Sequence, residues 1–159
     1  MAKHAMIRTD NLAGTVHGKY LVSIRMTENL DNGCIVVPGA YEAGAREVRT
    51  YTAPEADTPV GKIAILASEE VNKEVTYDTV GGFYNKEGAI ARGYIFEHGD
   101  IFSVTAEAFE EAPEVGNTIE VKAGSYKLAT AKTTTGATVI GECIAIELDG
   151  ATTWYVVRV

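Results

Sequence analysis

The chain has 159 residues, of which 46% are hydrophobic and 23% charged, a globular composition that argues against wholesale disorder. That length fits one domain, or one domain with an appendage, and burial of roughly two-thirds of the unfolded surface gives a core that needs no staples. The formal net charge is -8, which runs against non-specific nucleic-acid binding, since that depends on clustered cations releasing phosphate counterions.

Residues 1–18 are short of core formers and carry Gly14 and Gly18, so they read as an N-terminal arm. In residues 19–26, Tyr20, Val22, Ile24 and Met26 alternate with polar neighbours, the period of a half-buried strand. Asp31-Asn32-Gly33 is a turn signal, because glycine takes positive φ freely, and Cys34 to Val37 follows as a buried strand. Strand, turn and strand suggest a hairpin with a long link. Residues 47–51 suggest a short strand, 53–59 a loop with two prolines, and 62–67 a good strand. Ser68, Glu69 and Glu70 resemble a helix start, but Val71, Val75 and Thr76 are β-branched, so any helix there is short. Gly81-Gly82 and residues 84–88 read as turns.

From Ile90 onward the pattern is cleaner. Strands are expected at 91–97 and 101–105 around His98-Gly99-Asp100, then at 118–121, 126–131, 138–148 and 153–159. Asp149-Gly150 is the strongest hairpin signal in the chain. The expected fold is mainly β: a small antiparallel barrel or sandwich with an N-terminal arm and a less regular, partly helical middle region. The division is an arm at 1–18, a β-rich elaboration at 19–89 and a barrel core at 90–159.

Charge is unevenly spread. Lys3, Arg8, Lys19 and Arg25 face only Asp10 in the first 27 residues, whereas every charged residue from Glu97 to Glu120 is acidic. A basic end meeting an acidic patch on a neighbour is one reading, and two solvated faces is the other. Cys34 and Cys143 each sit in an apolar run and read as buried thiols, with no sequence support for a disulfide. No apolar stretch reaches membrane-spanning length, and Arg8, Asp10 and Asn11 stand where a signal peptide would be hydrophobic.

The standard catalytic and ligand motifs are missing. There is no phosphate loop, Cys-x-x-Cys or zinc-protease helix, and His4, His17 and His98 are scattered. His98 beside Asp100 reads as an oriented base only if Cys34 or Cys143 lies near it as nucleophile. Otherwise it is a surface turn residue, and Asp100 shapes the turn through backbone amides. Glu97 with Asp100, and Glu110 with Glu111, are carboxylate pairs that read equally as solvated side chains, and the acidic run lacks the ordered spacing of a calcium loop. No catalytic, cofactor-binding or metal-binding residue is assigned, and no enzymatic activity or cofactor is expected. Tyr41, Tyr51, Tyr77, Phe83 and Tyr84 are candidate contact aromatics or, equally, cover for a loop-rich core. Trp154 and Tyr155 must face opposite sides of one strand.

Residues 6–15 (Met-Ile-Arg-Thr-Asp-Asn-Leu-Ala-Gly-Thr), the segment from Ala91-Arg92-Gly93-Tyr94 through Gly99-Asp100-Ile101-Phe102-Ser103-Val104-Thr105, and the closing Tyr155-Val156-Val157-Arg158-Val159 resemble small head decoration proteins of tailed bacteriophages. The likeness spreads over most of the chain without a sharp motif. It implies a virion structural protein, assembled in the host cytoplasm, that binds the major capsid protein on the outer shell. It also implies a homo-oligomer, with a trimer favoured over a dimer, and neither nucleic acid nor membrane as partner. On this reading the arm and the loop aromatics make the shell contacts. The alternatives are a ring-forming head–tail or tail-associated protein, and a carbohydrate- or ligand-binding β module with a concave patch around Tyr84, Tyr94 or Trp154.

Overall fold

A computed structural model describes residues 3–71, 80–131 and 136–159. Its strands are β1 (Ile7–Asn11), β2 (Leu21–Arg25), β3 (Ile35–Tyr41), β4 (Val48–Thr52), β5 (Ala64–Leu66), β6 (Ile90–Ile95), β7 (Ile101–Val104), β8 (Thr118–Val121), β9 (Leu128–Thr130), β10 (Val139–Asp149) and β11 (Thr152–Arg158). Short 3-10 turns punctuate them, and no α-helix occurs among the described residues. Ser68 to Val71, read as a helix start, is not helical, and the rest of that stretch, 72–77, lies outside the described residues.

The strands form two bodies. β2, β4, β3, β5 and β6 close into a five-stranded barrel, with β6 pairing back onto β2 and β2 running parallel to β4. The remaining strands form an open six-stranded sheet in the order β1-β7-β11-β10-β8-β9. Four of the five ring strands therefore lie in 19–89, the stretch read as an elaboration, whereas 90–159, read as the barrel core, gives the ring only β6 and supplies five of the six strands of the open sheet. The turn at His98-Gly99-Asp100 does not fold a hairpin within one sheet. β6 belongs to the barrel and β7 to the open sheet, so at this turn the chain returns from the barrel to the sheet that β1 began.

The alternation in β2 works as expected: Val22 and Ile24 point into the barrel and Met26 closes its end. The expected hairpin between β2 and the strand after Gly33 does not form, because β4 sits between β2 and β3. The long link is used instead to cap the barrel, with Leu30 buried and bridged to Asn85. Gly33 does take positive φ, at 85°. So narrow a barrel needs small residues inside. A Cβ on Gly93 would sit 2.9 Å from Val22 Cγ2 and 3.1 Å from Ile24 Cδ1, with Ala64 and Ala91 nearby in the same core.

The run Ile63-Ala64-Ile65-Leu66 is apolar without alternation because both faces of β5 are buried. Ala64 and Leu66 fill the barrel, while Ile63 and Ile65 join Ile35 and Phe96 on its outer wall, against the open sheet. That second core also holds Phe102, Val104, Ile119, Leu128, Ile140, Cys143 and Val157, and Phe96 stacks on Phe102 at 5.4 Å.

Within the stretch read as an arm, Ile7–Asn11 form a paired sheet strand. β1 pairs antiparallel with β7, Ile7 opposite Val104 and Arg8 opposite Ser103. Ala5, Met6 and Leu12 are buried. The Met6 N–H donates to Thr105 Oγ1 and the Thr105 N–H to the Met6 carbonyl, both at 3.1 Å. β7 has a free ladder edge, and an unpaired buried backbone is costly, so this segment is drawn in despite its weak apolar pattern.

Candidate binding surface

The polar residues singled out in the sequence mostly hold backbone. Asp100 is buried, and its carboxylate accepts from Ala13 N–H at 2.8 Å and Glu97 N–H at 2.9 Å, the turn-shaping role expected of it. Cys34 lies in the barrel core and Cys143 in the core against the open sheet, both as free thiols. Burial, with the charge of Asp31 adding to it, pushes the Cys34 thiol up to about 12, so at neutral pH it is not a nucleophile. Burial raises the Cys143 thiol as well. His98 stands in a groove of about 340 Å³ with Val60, Phe96, Val139, Ile140 and Val159, and no cysteine lines it. His4 Nδ1 meets Asp31 Oδ1 at 2.7 Å while its ring stacks on Tyr84 at 4.7 Å. Glu110 pairs with Lys122 at 3.3 Å and accepts from Ser125; the Ser125 hydrogen bond leads in holding its carboxyl below the ordinary range. No group of three His, Cys, Asp or Glu among the described residues is placed to hold a metal ion.

The uneven charge is largely answered within the chain. Lys3 pairs with Glu107 at 3.2 Å, Arg8 with Asp149, and Arg25 with Glu42 at 3.2 Å, while Lys19 lies over the Tyr20 ring. Burial pushes the Glu107 carboxyl up, but hydrogen bonds from Thr105 and the backbone and the Lys3 charge outweigh it, and its pKa falls below 4.5. The loop aromatics do not converge. Tyr41 is exposed beneath Arg49, Tyr51 leans on Tyr126, and Tyr77 lies outside the described residues. A groove of about 510 Å³ runs along β2 and β6 past Ser23, Ser68, Arg92 and Tyr94, but Tyr84 and Trp154 do not line it.

The most distinctive surface was not singled out in the sequence. β10 and β11 form the expected Asp149-Gly150 hairpin, with Asp149 opposite Thr152. β8 accompanies β10 only as far as Glu142, and the loop before it ends its contact at Cys143, whose carbonyl accepts from Gly116 N–H. Beyond that point the hairpin projects. On one face Glu147 and Trp154 are cross-strand partners, and the Arg8 guanidinium carbon stands over the Trp154 ring at 4.0 Å while its guanidinium holds Asp149. Trp154 is 7% exposed and its indole N–H has no acceptor among the described residues. On the other face Tyr155 packs edge-on against Phe109 at 5.6 Å, and Ile146, its cross-strand partner, and Leu148 are 43% and 76% exposed. The apolar alternation of Ile146 and Leu148 against Glu147 and Asp149 was visible in the sequence, but nothing local reveals that the core stops short of them.

No protein family, characterised protein or solved structure matches this chain.

Proposed function

We propose that this chain is a structural protein that attaches to the outer surface of a tailed-phage capsid and braces the shell, with the major capsid protein as partner and no catalytic role. The partner's identity rests on the resemblance of residues 6–15, 91–105 and 155–159 to head decoration proteins. The observation that carries a binding role is the projecting hairpin, held stiff on one face by Arg8, Trp154 and Asp149 and exposing Ile146 and Leu148 on the other. Exposed aliphatics on a preorganised strand suit protein contact, because little ordering entropy is lost on docking. Repetition over a symmetric shell then lets modest contacts act together.

The test mixes purified protein with expanded, undecorated shells of the phage that encodes it and images them by electron microscopy. Ordered density at stoichiometric occupancy is the expected result. A competent shell that stays bare at high protein concentration would sink the capsid reading.

A further inference from the structure

Open sheets present unpaired N–H and C=O groups at their edges, and natural proteins blunt such edges to avoid unwanted pairing. Two of the edges here are blunted. β1 carries a register shift between Arg8 and Asn11, with Asp10 at a φ of 37°. β9 is covered by residues 109–111, where Phe109 bridges Leu128, Glu110 N–H bonds the Leu128 carbonyl, and Thr130 Oγ1 donates to the Glu111 carbonyl. The barrel has no edge, since its ring is closed. The distal half of β10 has none of these protections. From Ala145 to Asp149 its register with β11 is unbroken, and no described strand pairs with its other side.

We infer that this edge of β10 receives an extended segment of another protein in which apolar residues alternate with Lys or Arg. The inference builds on the binding role proposed above and names its surface and the partner's chemistry. Antiparallel pairing alternates between hydrogen-bonded and non-hydrogen-bonded pairs. Asp149 and Thr152 close a two-residue turn and so form a hydrogen-bonded pair, as do Glu147 with Trp154 and Ala145 with Val156. The backbone groups of Ile146 and Leu148 therefore face outward, ready to continue the ladder. An added strand sets its alternate side chains against Ile146 and Leu148 on one face and against Glu147 on the other.

Charge selects the occupant. Asp149 is neutralised by Arg8, and Glu142 lies 3.7 Å from Arg158. Glu147 has no cationic partner among the described residues. Exposed Glu114 stands two residues before Gly116, which bonds the base of the edge at Cys143. A cation opposite Glu147 meets an unpaired carboxylate. A second copy of this chain does not fit as well: symmetric pairing centred on Ile146 brings the two Glu147 side chains together as diagonal neighbours on one face, and each chain carries a net charge of -8.

The test uses the full chain and a short fluorescein-labelled peptide, capped at both ends, that alternates valine and lysine. Fluorescence anisotropy compares it with a valine–glutamate peptide and with the valine–lysine peptide N-methylated at alternate residues, which blocks the ladder. The lysine peptide is expected to bind at least about tenfold more tightly than either control. Leu148→Lys and Glu147→Lys are each expected to weaken it by a similar factor, with circular dichroism unchanged because both positions are exposed. Equal binding of the three peptides, or undiminished binding by Leu148→Lys, overturns the inference. So does wild-type dimerisation in sedimentation that Leu148→Lys abolishes, since the edge then takes a second copy. Shell binding without peptide discrimination removes this inference and leaves the capsid reading standing; peptide discrimination without shell binding does the reverse.

Discussion

The barrel and the open sheet answer the same problem, a row of unsatisfied backbone groups, in opposite ways. The barrel pairs its last strand with its first, and its interior is filled by small and branched side chains: Val22, Ile24, Val36, Ala64, Leu66 and Ala91. The sheet leaves its ends open and treats each one separately, by a register shift at β1 and a covering segment at β9. Closure leaves no edge to pair, whereas an open sheet keeps backbone groups that must be covered, distorted or left free. The two bodies are not independent, because Ile35, Ile63, Ile65 and Phe96 of the barrel's outer wall lie in one core with the sheet.

The largest expected effect comes from removing residues 1–12. If these residues are an integral strand, their loss strips the ladder from β7 and removes buried Met6 and Leu12, at a cost of about 5 kcal/mol or more. A urea titration should show one transition at a much lower midpoint, since the shared core couples sheet and barrel. Two separated transitions would mean the bodies fold independently, and an unchanged midpoint would return the segment to the status of an arm. A smaller effect belongs to the barrel alone. Gly93→Val forces atoms into a space already closed by Val22 and Ile24, and should cost about 1–3 kcal/mol by the same titration.

The smallest effect is a pH dependence at the sheet end. The Glu107 carboxyl is lowered in the folded chain, so its contribution is fully present above the ordinary value of 4.5 and is lost as pH falls through the folded value. Melting temperature should fall on going from about pH 6 to about pH 3, and fall less in Glu107→Gln. An identical fall in both proteins would show that the Glu107 carboxylate, with its Thr105, backbone and Lys3 partners, adds nothing to the sheet.

Local signals are legible in the sequence. The Asp149-Gly150 hairpin, the turn-shaping role of Asp100 and the opposite orientations of Trp154 and Tyr155 each depend on a few adjacent residues. What the sequence withheld was long-range. β4 inserts between β2 and β3, and the residues around Val48-Arg49-Thr50 contain nothing that announces it. β1 leaves little trace in the sequence because its five residues are held by backbone pairing more than by apolar alternation. The candidate surface stayed hidden for a related reason: Ile146 and Leu148 resemble core residues in sequence, and only the point at which β8 leaves β10 exposes them.

The placement of the two thiols has a consequence for the chain's covalent chemistry. Cys34 and Cys143 are shut into different cores, and burial keeps both protonated. Oxidants act on exposed thiolates, and a bridge needs two sulfurs within reach. Neither thiol of the folded chain is therefore open to oxidation or to bridging, so its covalent connectivity does not follow the thiol redox state of its surroundings.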